Sequence, residues 1–126
     1  MDAATADRIV SKAEFVQKRV DDLGQYQSLD EVEYLDDPTV QAVVERRFQT
    51  AIQACIDIAG MILRADGETV PEAYSGRMHA LVSLGVLSES LGETMASTTG
   101  FRNVLTHRYG TDLNDTLVYK SLQDLS

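Results

Sequence analysis

No tryptophan, one cysteine and two prolines occur in these 126 residues, and aromatic side chains make up only 6% of them. A lone thiol, Cys55, closes no intrachain disulfide and builds no thiolate metal cluster, so it is expected as a small buried apolar residue. With few aromatics and prolines but many Ala, Leu, Val, Asp and Glu, the composition favours helices over a β-sandwich. No apolar run approaches the roughly 20 residues that span a bilayer. The N-terminus also lacks the basic start, apolar core and small-residue cleavage site of a secretory signal. A cytoplasmic protein without a membrane partner is the expectation. Chain length and 44% hydrophobic content point to a single domain, 1–126.

Positive charge is also scarce. Eleven Lys and Arg against twenty Asp and Glu give a formal net charge of -9, which taken alone argues against a nucleic-acid ligand, because phosphate contacts come mainly from Lys and Arg. The distribution changes that conclusion. Most of the excess acid lies before residue 46, and no carboxylate side chain occurs between Glu93 and Asp112, a window that holds Arg102, His107 and Arg108. Arg46 with Arg47, and Arg77 with His79, form further basic islands. An acidic surface with local basic islands can still hold a phosphate.

The spacing of apolar residues predicts an all-α, up-and-down bundle of four main helices with one or two short ones. Ile9, Val10, Ala13, Val16, Val20 and Leu23 recur at steps of three and four, giving a helix over 5–23 with Gly24 as its C′ residue. Ser28 is a candidate N-cap for a short acidic helix that Pro38 ends. From Pro38 a long central helix carries Val40, Val44, Ala51, Ile52, Cys55, Ile58, Ala59 and Ile62 on one stripe, and Asp66-Gly67 reads as its terminating turn. Pro71 is placed at the start of the next helix, which presents Tyr74, Met78, Leu81 and Val82 on one side. After Gly85, Ser88 opens another helix that Gly92 and Gly100 weaken. A closing helix carries Leu113, Leu117, Val118, Leu122 and Leu125.

Several chemistries are missing. No Glu is followed three residues later by His, so the di-iron pattern of helical bundles is absent, and His79 with His107 leave a zinc two ligands short. Glycine patterns for mono- and dinucleotides and the G-x-S-x-G elbow are absent as well. Neither a metal nor another cofactor is expected. What remains is FRNVLTHRYG, residues 101–110. On a helix Asn103 and His107 stand one turn apart and Arg102 and Tyr109 two turns apart on a neighbouring face. An imidazole takes a proton from a 2′-hydroxyl near neutral pH, and a guanidinium holds a phosphate and the charge that grows on it, so the set suits RNA cleavage without a metal. One imidazole does not readily serve as both base and acid, so a twofold dimer pooling two copies is a natural arrangement. The alternative from spacing alone is a solvated helix end whose His and Arg complement the C-terminal dipole.

Arg102-Asn-Val-Leu-Thr-His107-Arg-Tyr109 resembles the R-N-x-x-x-H-x-Y signature of the HEPN superfamily, and of its HepT-like toxins in particular. The acidic SLDEVEYLDDP segment, the VERRFQTAIQACIDIAG helix, the Leu84-Gly85-Val86-Leu87 turn and the closing LVYKSLQDL helix are similar to that family in the same order, from residue 7 to residue 125. The resemblance implies an all-helical homodimer acting as a metal-independent endoribonuclease toxin, paired with an MNT-type nucleotidyltransferase antitoxin. It makes Arg102 and His107 catalytic and Asn103 supporting, and it makes Tyr109 the residue that such an antitoxin AMPylates. Arg46, Arg47 and Arg108 become candidate phosphate contacts. A silent HEPN scaffold binding a nucleotide or a partner protein is the competing expectation.

Overall fold

The computed structural model describes residues 1–106 and 112–125. Among the described residues there are six helices and no strand: α1 (Ala3–Gly24), α2 (Glu31–Leu35), α3 (Pro38–Ala65), α4 (Tyr74–Ser83), α5 (Glu89–Thr106) and α6 (Asp112–Gln123). The all-α expectation therefore holds, with long α1, α3 and α5 and shorter α2, α4 and α6.

Local chemistry sets the helix ends. Asp2 caps α1 by accepting from the Thr5 amide at 2.7 Å, and that bond together with one from the Thr5 hydroxyl lowers the Asp2 carboxyl below its ordinary value. Gly24 does not cap this helix; it lies inside it, and the right-handed Gln25 that follows needs no glycine. Ser28 is likewise displaced as the cap of α2. Asp30 and Glu33 form a capping box instead, with bonds of 2.8 and 3.1 Å, satisfying two amide donors where one serine would satisfy one. Pro38 ends α2 and opens α3, its missing N–H costing nothing at that position, while Asp37 accepts from the Val40 amide.

Helices α3 and α4 end alike. Gly67 (φ 77) and Gly85 (φ 79) adopt the left-handed conformation, and the residue after each donates back to the carbonyl five residues earlier, Glu68 to Leu63 and Val86 to Leu81. Pro71 does not start α4, which begins at Tyr74; the Pro71 carbonyl instead accepts from Arg77 Nε at 3.1 Å. Ser88 caps α5 as expected, through the Leu91 amide. Gly92 does not break α5. A Cβ there would collide with the Val82 side chain, so the glycine is where α4 and α5 press together.

At the centre α3 packs against α1, α2, α4 and α5. A single apolar stripe is too narrow for a helix enclosed on so many sides: of the predicted positions Val44, Ala51, Ile52 and Ala59 are buried and Val40, Cys55, Ile58 and Ile62 partly so, while Phe48, Ala54, Ile56, Met61 and Leu63 are buried in addition. Fully buried Val44, Ile56 and Leu63 each contribute about 1.5–3 kcal/mol of transfer free energy. Helix α6 closes the bundle against α2: Tyr119 stacks tilted on the buried Tyr34 ring at 5.5 Å, and its hydroxyl donates to the Leu29 carbonyl at 2.9 Å. Val118 and Leu122 are buried, whereas Leu117 from the predicted stripe is exposed. A face built on Val118, Tyr119 and Leu122 leaves Leu117 on the far side.

Candidate active site

The packing of α5 on α3 aims Arg102. Phe101 meets Phe48 edge-on, with centroids 5.4 Å apart at 77°, and Gln49 Nε2 donates to the Leu105 carbonyl at 3.1 Å. These contacts, before and after Arg102, fix the rotation of α5. One residue past the buried ring, a 100° step turns Arg102 into a cleft of about 330 Å³ lined with Arg46, Gln49, Thr50 and Gln53 of α3.

Two guanidiniums and three neutral polar side chains thus share one concavity, and among the described residues no carboxylate lines it. Such a lining suits a tetrahedral oxyanion: planar N–H forks bind its oxygens, and the side chains between them are neutral. Thr50 is partly committed, its hydroxyl donating to the Arg46 carbonyl at 3.0 Å. Gln53 uses its amide nitrogen on Asp57, while its Oε1 is buried and accepts from nothing among the described residues.

Helix α4 supports this arrangement. The Arg102 guanidinium carbon lies 5.6 Å from the centroid of the Tyr74 ring, and that of Arg77 lies 5.2 Å from the same centroid. Because Gly92 lets α4 seat closely on α5, Tyr74 comes within reach of Arg102.

The two arginines expected to act together are separated. Arg46 is exposed and lines the cleft, whereas Arg47, one step round the helix, donates to Asp22 Oδ2 at 3.3 Å, an oxygen that also pairs with Arg19 at 2.9 Å. Asn103 is exposed and is not part of the cleft lining. His107, Arg108 and Tyr109 lie outside the described residues, and so does the expected contact between Asn103 and His107. His79 is exposed on α4. Among the described residues no three His, Cys, Asp or Glu side chains gather as a metal site. Cys55 is only partly buried, and its desolvation raises the thiol pKa.

Gln49, Thr50, Gln53 and Tyr74 were not predicted as site residues. The first three did carry a signal: with Arg46 they follow the i, i+3, i+4, i+7 spacing of a polar stripe on one side of α3. Tyr74 carried none, since its role depends on where α4 meets α5.

Comparison with known proteins agrees with this architecture. A family model described as Ribonuclease HepT-like matches residues 16–126. No curated protein matches the chain by sequence. Among solved structures, a toxin–antitoxin with AMP-PNP is 22% identical with a TM-score of 0.76, covering 94% of this chain and 96% of that one. A variant of the MntA-HpeT toxin–antitoxin is 23% identical with a TM-score of 0.78 over the same shares of the two chains. A tri-AMPylated HEPN toxin of Shewanella oneidensis, in complex with its MNT antitoxin, is 22% identical with a TM-score of 0.76, covering 99% of this chain and 97% of that one. At such identities the likeness establishes the fold.

Proposed function

This chain belongs to the HepT-like ribonuclease family, and from that premise we propose that it is the toxin of an AMPylation-controlled toxin–antitoxin pair, a metal-independent endoribonuclease. The observation that carries the proposal is the joint presence of Arg102, the first residue of the RNVLTHRY motif, and Arg46 in one cleft free of lining carboxylates among the described residues.

The chemistry follows from those groups. Arg102 and Arg46 hold the non-bridging oxygens of a phosphodiester and offset the charge that grows on them. His107 accepts the 2′-hydroxyl proton, the 2′-oxygen attacks phosphorus, and the 5′-oxygen leaves with a proton. The products are a 2′,3′-cyclic phosphate and a 5′-hydroxyl. In a homodimer a second His107 supplies that leaving-group proton, so each imidazole performs one transfer. Asn103 supports the pair, and Arg108 adds a further phosphate contact.

Tyr109 is the acceptor for AMP from a nucleotidyltransferase antitoxin. The tri-AMPylated state of the Shewanella oneidensis HEPN toxin supports this assignment. Added phosphates beside Arg102 would occupy the cations that RNA needs, blocking it by charge and bulk.

The test is cleavage of cellular RNA in EDTA by the purified chain beside His107→Ala. Cutting by the first and a loss of about 10²-fold or more in the second supports the toxin. If neither cuts, the chain is a binding scaffold. For regulation, intact mass after co-expression with the nucleotidyltransferase should show AMP additions that vanish in Tyr109→Phe.

A further inference from the structure

A second basic pocket lies where α1, α3 and α4 meet. Its lining includes Arg8 and Lys12 of α1, Arg64 of α3 and Arg77 of α4, set around Thr5 and Asp57. The chain has eleven Lys and Arg and twenty Asp and Glu, yet among the described residues four cations line this pocket of about 660 Å³ against a single carboxylate, Asp57. Grouping like charges opposes folding unless an anion offsets them.

The single carboxylate is loosely engaged. Lys12 Nζ stands 3.8 Å from Asp57 Oδ2 with both side chains about 40% exposed, a long solvated pair that exchanges readily for another anion. Asp57 is also shared with Gln53 Nε2. Among the described residues Arg77 is fastened by neutral groups, the carbonyls of Pro71 and Ile56, which position its charge without cancelling it. Close approach of the Arg77 and Arg64 guanidiniums to the Gly60 backbone lets both line the pocket; a Cβ at that position would come within 3.1 Å of Arg77.

We propose that this pocket binds a phosphate-bearing ligand, taking two or more oxyanions on Arg8, Lys12, Arg64 and Arg77. The assignment stands on the pocket and does not depend on RNA cleavage. The ligand's phosphates come either from a free nucleotide or from an RNA backbone running on from the cleft, because the Tyr74 ring that packs under Arg102 also packs under Arg77.

The experiment measures binding of two probes to the full chain at low salt: ATP, and a short 2′-O-methyl oligoribonucleotide that resists cleavage through the 2′-hydroxyl. Wild-type protein should bind at least one, and affinity should fall about fivefold or more in Arg8→Gln/Lys12→Gln and in Arg64→Gln, with a shallower salt dependence. Asp57→Asn removes the competing carboxylate and should tighten binding, a gain that misfolding does not produce. ATP binding alone identifies a nucleotide; oligonucleotide binding alone identifies the RNA backbone. No binding of either probe, or equal affinity in wild type and all three variants, overturns the proposal. Neither outcome bears on the cleavage test, which Arg102 and His107 decide.

Discussion

Arg46 and Arg47 are neighbours of the same type, yet they occupy different environments. The cleft side of α3, running through Arg46, Gln49, Thr50 and Gln53, is polar and leaves its guanidinium available. The side facing α1 pairs Arg47 with Asp22, and farther along it Ala51 is buried and Cys55 partly so. The difference lies in what the fold sets beside each guanidinium, a carboxylate for Arg47 and neutral amides and a hydroxyl for Arg46. An arginine already paired must first break that bond, whereas one facing neutral amides need not.

Substitutions on the two sides can separate these roles. Arg102→Ala should lower RNA cleavage about 10²–10³-fold with little change in Tm, as expected for a group that holds developing charge; unchanged cleavage would remove the cleft from the mechanism. Gly92→Ala should cost about 2 kcal/mol in urea denaturation, since the new methyl overlaps Val82. Adding Val82→Ala should recover part of that loss, and cleavage should track the recovery if α4 seats Tyr74 against Arg102. Arg46→Gln should reduce cleavage about tenfold, and only on the cleft side should such a change matter. Arg47→Ala should leave cleavage within about twofold while costing about 1 kcal/mol of stability, because it leaves a partly buried Asp22 with Arg19 in place of two cationic partners. If Arg47→Ala instead abolished cutting at unchanged Tm, the contrast between the two sides would be wrong.

The smallest effect is expected at Cys55. Its thiol pKa is raised by desolvation, so folding favours the neutral form. That contribution is fully present below the unfolded thiol pKa and fades as pH climbs through the folded value. At pH 8 a disulfide reagent should label the folded chain about tenfold more slowly than the urea-unfolded chain.

What the sequence determined by itself was mostly local: the helical composition, the central helix from Pro38, the Asp66-Gly67 stop, the Ser88 cap and the motif opening with Arg102. These depend on hydrogen bonds and steric limits spanning only a few residues, so the local chain contains their causes. Only the tertiary structure decided that Asp22, 25 positions away, would claim Arg47. It also decided that the Tyr119 hydroxyl would find Leu29 across 90 positions, and that Gly92 would admit Val82. A step of 100° separates adjacent side chains on a helix, and which of them meets a partner is settled by how the helices pack, where contacts distant in sequence outweigh local preference.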